Sequence, residues 1–240
     1  MRFEGKTVFI TGAAGNLGKA VGAAFQDAGG NVVLVDVDAQ ALIDVWGGDA
    51  PNRLLVTADL LDASSTASAA ERAQATFGGI DVLCNIAGGF ASGPPVHEMP
   101  ATLWQRMFEL NATTVVHTAK AIVPGMIVQK SGNIINVAAA ASVRGQAGMA
   151  AYIAAKNAVV RLSESMAAEL RPHGIFVGCI MPTIIDTPQN RAAMPNADTS
   201  QWTPPAAIAD IMLFLASDAA MIMSGCAIPL TGSQRGRDAD

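Results

Sequence analysis

Six short apolar runs punctuate the chain, at residues 7–10, 32–35, 54–56, 82–84, 134–137 and 176–180, each bounded by Gly, Asp or Asn. They are near-continuously apolar rather than alternating. That is the pattern of strands buried on both faces, as in a parallel sheet. Between them lie alanine-rich stretches at 17–28, 64–77, 102–129 and 150–170, long enough for crossover helices. A further strand is expected at 227–230. This alternation predicts one α/β domain over residues 1–240: a doubly wound, Rossmann-type parallel sheet of about seven strands with helices on both faces. Ligands of such a sheet bind at the carboxyl ends of the strands, near the switch in strand order. No repeat, low-complexity tract or linker divides the chain. Residues 187–203 differ in composition, with several polar residues, Trp202 and, counting the flanks, Pro188, Pro195, Pro204 and Pro205. They are the expected substrate lid.

Composition supports a large buried core: 51% of residues are hydrophobic and 15% charged. A net charge of −5 offers no basic face, which argues against nucleic acid or an anionic membrane as partner. The first apolar run begins too early to leave room for a charged segment and an apolar core, so no signal peptide is expected. The apolar tract 208–230 invites a transmembrane reading, but Asp210, Ser217, Asp218 and Gly225 interrupt it. A buried helix followed by a strand fits better. Cys84, Cys179 and Cys226 stand widely apart in apolar runs, as reduced core cysteines of a cytoplasmic protein do. His97, His117 and His173 lack ligand spacing, and no metal site is expected.

The only tyrosine in the chain stands in Tyr152-Ile153-Ala154-Ala155-Lys156. Four residues on a helix put both side chains on one face, roughly 5–6 Å apart at Cβ. An ammonium that close is expected to stabilise a phenolate and lower the tyrosine pKa, fitting it for acid–base work. After the first apolar run comes Thr11-Gly12-Ala13-Ala14-Gly15-Asn16-Leu17-Gly18 and then a helix. Glycines there permit a tight turn and close approach to a pyrophosphate, which the helix N-terminus attracts. Asp36 ends the second run 18 residues beyond Gly18. Its carboxylate suits the ribose hydroxyls of NAD and would repel the 2′-phosphate of NADP. Its neighbours Ala13, Ala14 and Val37 supply no cation for that phosphate, so NAD(H) is expected over NADP(H). The competing role for Asp36, capping a helix, is one that Asp38 can also fill.

These motifs, together with Asp59-Leu60, Asn85-Ile86-Ala87-Gly88, Asn111 and Met181-Pro182 through Asp186-Thr187-Pro188, resemble the short-chain dehydrogenase/reductases in order and spacing along essentially the whole chain. The resemblance implies an oxidoreductase moving hydride between a nicotinamide cofactor and a small or medium carbonyl, alcohol or quinonoid substrate. Tyr152 would be the general acid or base. Lys156 would hold the nicotinamide ribose, and Asn111 would interrupt its helix and support a proton relay. Gly12, Gly15, Asn16, Leu17 and Gly18 would cradle the pyrophosphate. Asp36, Asp59 and Leu60 would take the adenosine, and Asn85, Ala87 and Gly88 would line the cofactor. Pro182, Ile185 and Thr187 would fix the carboxamide end. Phe90, Met149, Met181 and Trp202 are candidates for the substrate wall. The family also implies a homo-oligomer, a dimer or tetramer, paired through the long helices 102–129 and 150–170, where Ala154, Ala155, Ala158 and Val159 allow close packing.

Two departures matter. Asn16 stands where the family loop has its middle glycine, a place where Asn tolerates the backbone better than most residues. The family also places a serine thirteen residues before the tyrosine to bind the reacting carbonyl oxygen, and here that position is Ala139. Ser142 either substitutes for it or caps a loop. Segments 83–93 and 186–204 are similar to those of dihydropteridine reductases, which keep the tyrosine and lysine, lack the serine and reduce a quinonoid pterin. That similarity implies a reactive acceptor as the alternative substrate. The missing serine leaves a third reading, an NAD(H)-binding sensor or scaffold with impaired catalysis.

Overall fold

The computed structural model describes residues 1–232. Seven strands form one parallel sheet in the order β3-β2-β1-β4-β5-β6-β7. The strands are β1 (Thr7–Thr11), β2 (Asn31–Asp36), β3 (Arg53–Thr57), β4 (Val82–Asn85), β5 (Gly132–Val137), β6 (Ile175–Pro182) and β7 (Ala227–Leu230). Winding runs outward from β1 through β2 to β3, then restarts on the other side of β1 with β4. The switch point therefore lies between the carboxyl ends of β1 and β4.

The apolar runs explain the two cores. Along β1 and β2, Val8, Ile10, Val32 and Leu34 pack on one face with Val21 and Phe25 of α1 (Asn16–Asp27) and Met212 of α8 (Pro205–Leu215). The intervening Phe9, Val33 and Val35 pack on the other face with Ala70 of α3 (Ala63–Phe77) and Ile122 of α5 (Thr114–Gln129). All of these strand side chains are fully buried. Burial of each contributes about 1.5–3 kcal/mol.

The helix expected at 102–129 is not uniform. It consists of α4 (Ala101–Phe108), a π turn over Glu109–Thr113 and α5, with Asn111 inside the wide turn. The long helix α6 (Ala150–Leu170) matches its expected span. Two short helices escape the periodicity reading. They are α2 (Ala39–Trp46), capped by the Asp38 side chain on Ala41 N, and α7 (Pro188–Ala193) within the expected lid. The tract 208–230 divides into the rest of α8, a 3₁₀ turn over Asp218–Met223 and β7. No helix among the described residues is long and apolar enough to cross a membrane.

Candidate active site

A cleft of about 530 Å³ opens at the switch point. Its floor is the turn after β1. Gly12 has φ +66°, a left-handed conformation that favours glycine, and a Cβ there would stand 3.0 Å from the Ala87 Cα. A Cβ on Gly18 would strike the Gly12 carbonyl oxygen. The Thr11 hydroxyl accepts from Ile86 N at 2.9 Å and Ala87 N at 3.0 Å, joining this turn to the loop after β4. Trp46 steadies the turn from outside, its Nε1 donating to Ala13 O at 3.0 Å. What remains is a cradle of exposed backbone at a helix N-terminus, the shape and polarity that a pyrophosphate requires.

Asp36 lines the cleft where β2 ends, accepting from Ala14 N at 3.0 Å and Val37 N at 2.8 Å. Asp38 takes the helix-capping role, which leaves Asp36 facing the cleft. Asp59 and Leu60 form the far wall, and His117 Nδ1 lies 2.8 Å from Leu60 O. Gly15, Asn16, Leu17, Ala87, Gly88, Ile185 and Thr187 also line this space.

The proton-handling candidates meet at Gly88. A Cβ placed there would lie 2.7 Å from Asn111 Oδ1 and 3.1 Å from Lys156 Nζ. Asn111 clamps the adjacent backbone from both sides, accepting from Gly89 N at 3.1 Å and donating to Gly89 O at 2.9 Å. Lys156 is buried and donates to Val137 O at 2.8 Å. Tyr152 stands one helical turn earlier, its ring meeting Phe90 edge-on with centroids 5.0 Å apart. Its hydroxyl makes no hydrogen bond among the described residues.

The electrostatics differ from the expected lowering of the tyrosine by its lysine. Burial pushes the Tyr152 hydroxyl above its usual range. Burial also brings Lys156 down to about 8, with nearby Cys179 opposing that shift. The drop from 10.5 to about 8 corresponds to about 3 kcal/mol. Because the folded value is depressed, the burial penalty acts in full below pH 8 and disappears as pH rises toward 10.5. Unfolding free energy of the wild type, taken relative to Lys156→Met, should therefore climb by about 3 kcal/mol between pH 7 and pH 10.5. Urea titrations of both proteins across that range test it, and parallel curves would rule it out.

The remaining candidates take the following places. Asn85 does not line the cleft. It lies buried beneath it, donating to Asn136 Oδ1 at 2.8 Å and accepting from the Thr118 hydroxyl at 2.8 Å. Met181 is buried, because alternation along β6 sends it to the same face as Cys179, against Val115 and Val159. Trp202 is buried next to Thr203, whose backbone bonds to Ile184 and Asp186 and closes the base of the segment 187–203. Pro182 is buried at the end of β6 and stands outside the cleft wall. Phe90 is 60% exposed and Met149 half-buried at the start of α6. Ala139 is buried, and its carbonyl accepts from both the Ser142 backbone N and, at 2.7 Å, the Ser142 hydroxyl. Ser142 thus closes its own turn and does not replace the missing serine. The sequence reading missed Arg106, Leu110 and Thr114, which form the helical wall of the cleft. Their four-residue spacing would have put them on one face.

The short chain dehydrogenase family model matches residues 6–198. The chain belongs to that family. It is 31% identical to (−)-trans-carveol dehydrogenase of Rhodococcus erythropolis, over 95% of this chain and 97% of that one. Identity to cis-4-hydroxycyclohexanecarboxylate dehydrogenase of Sinomonas cyclohexanicum is 34%, over 96% of each. Among solved structures, NAD+-bound xylitol dehydrogenase superposes with a TM-score of 0.88 at 26% identity, covering 97% of this chain and all of the other. As in these relatives, the family's oxidoreductase chemistry is the frame for the cleft and for the residues around Gly88.

Proposed function

We propose that the chain is an NAD(H)-dependent oxidoreductase that moves hydride between the nicotinamide and a small or medium carbonyl, alcohol or quinonoid substrate. The convergence of Asn111 and Lys156 at Gly88, beside a glycine cradle and one helical turn from Tyr152, carries this reading. The cradle fits a dinucleotide, since a side chain at Gly12 or Gly18 would strike the backbone of Ala87 or of Gly12 and keep the turn from closing so tightly around a pyrophosphate. When bound, the nicotinamide supplies or accepts the hydride. Tyr152 gives a proton to the substrate in reduction and takes one in oxidation. Lys156 binds the ribose and sets the charge beside the phenol. Asn111 fixes the Gly88–Gly89 backbone against which the nicotinamide end would rest, and its turn supports the relay of protons. Phe90 and Met149 flank the substrate, while Asp36 selects NAD(H). The xylitol dehydrogenase that superposes on this chain holds NAD+, in agreement with that preference.

Ala139 favours a second reading of the substrate, a quinonoid acceptor reactive enough to need no oxygen clamp, as the similarity to dihydropteridine reductases implies. A sensor that binds NAD(H) without turnover is the non-catalytic counterpart. Residues 187–203 act as the lid, and the family expectations of a cytoplasmic homo-oligomer stand with this proposal. The test is NADH consumption over a panel led by carvone, the oxo form of cis-4-hydroxycyclohexanecarboxylate, quinones and quinonoid dihydropterin. NADH should serve at least about tenfold better than NADPH, because the Asp36 carboxylate would face the extra phosphate. Equal use of both cofactors would refute the Asp36 assignment. Tight NADH binding with no turnover on any substrate would favour the sensor.

A further inference from the structure

We infer that Gln189 is a cofactor-retention residue: its side-chain amide and that of Asn16 form a latch across the cleft that slows release of a bound dinucleotide. The inference rests on the NAD(H) reading above. Asn16 Nδ2 donates to Gln189 Oε1 at 2.7 Å, across 173 positions of sequence. Asn16 opens α1 in the phosphate-binding wall, and Gln189 lies in the first turn of α7 on the opposite wall. Among the described residues this is the one side-chain hydrogen bond that joins the phosphate turn to α7.

Both ends of the latch are fixed. On the α7 side, the Thr187 hydroxyl accepts from Asn190 N at 3.1 Å, and Asn190 Nδ2 donates to Ile185 O at 2.8 Å. Arg191 pairs with Asp186 through both guanidinium nitrogens. Thr187, Asn190 and Ile185 themselves line the cleft, so α7 is tied to that wall as a unit. On the other side, Asn16 is not consumed as a helix cap. The N-cap is Gly15, with no side-chain bond to the first turn. The backbone N–H groups of α1 stay available to a pyrophosphate while the Asn16 side chain reaches over it. A glycine at position 16 would have nothing to reach with, so the departure from the family loop is what makes the latch.

A neutral, solvent-exposed hydrogen bond changes an equilibrium or rate by about threefold to tenfold. Stopped-flow chase of NADH fluorescence should show dissociation about threefold to tenfold faster in Gln189→Ala and in Asn16→Ala. The double variant should be no faster than the faster single, because each change breaks the same bond. On whichever panel substrate reacts, Gln189→Ala should raise KM for NADH without loss of kcat. Unchanged dissociation rates, or single effects that multiply in the double variant, would overturn the latch. So would a fall in kcat at constant KM, which would mark a merely structural role. A wild-type protein that fails to bind NADH would instead overturn the cofactor reading on which the latch depends.

Discussion

Replacing Tyr152 with Phe is expected to lower turnover by about 10²–10⁴-fold, the usual worth of a positioned proton donor or acceptor. NADH affinity should stay within about twofold, since the substitution removes one hydroxyl and leaves the glycine turn, Asp36 and Lys156 in place. The variant separates chemistry from folding unusually well. The hydroxyl has no hydrogen-bond partner among the described residues, and the ring keeps its edge contact with Phe90 when the oxygen is removed. No buried group is left unpaired, so stability should change by less than about 0.5 kcal/mol. Burial holds the hydroxyl protonated at neutral pH, which suits it to donate in the direction of reduction. Steady-state kinetics on a panel substrate, alongside an NADH titration, measure the two quantities independently. Normal turnover on a ketone would remove Tyr152 from the proton-transfer role. A smaller loss on a quinonoid acceptor is consistent with it, because such a substrate needs less help.

The sheet was legible because burial on both faces leaves an unbroken apolar signature, and the runs at 7–10 and 176–180 fall inside β1 and β6. The glycine turn and the place of Asp36 at the cleft were legible for a related reason. Both are set by local geometry, a turn and a strand end, which a sequence records directly. Properties set by packing across the sequence were not. The spacing of Tyr152 and Lys156 gives their shared helical face but not the burial that raises one pKa and lowers the other. Nothing in the run Asn85-Ile86-Ala87-Gly88 discloses that β5 brings Asn136 beside Asn85 in register. Met181 could have been placed from strand parity, since it shares a face with Cys179 two residues earlier. The eight residues of α2 are too few for a periodicity to emerge, and the Trp46 contact to Ala13 depends on where α2 returns to β1.

Restoring the serine should reveal what kind of substrate the site serves. Ala139→Ser is expected to raise kcat/KM on simple ketones by about 10²-fold, or about 2.7 kcal/mol of transition-state stabilisation, the converse of deleting one oxyanion donor. The position is buried at the entry to the turn Ala140–Val143. The nearest hydroxyl, on Ser142, is spent on the Ala139 carbonyl at 2.7 Å. A new hydroxyl at 139 that met no substrate oxygen would be a buried polar group in search of a partner, costing about 1 kcal/mol or more of stability. The informative measurement is therefore a ratio: kcat/KM of the variant over wild type on a cyclic ketone, divided by the same ratio on a quinonoid acceptor. A value near 10² means that ordinary carbonyl reduction is limited by the absent donor. A value near one, with both substrates turning over, would contradict that account and assign the oxygen clamp to some other group. In a quinonoid acceptor the charge that develops on hydride addition spreads through the ring, and such a substrate leaves little for a serine at 139 to stabilise.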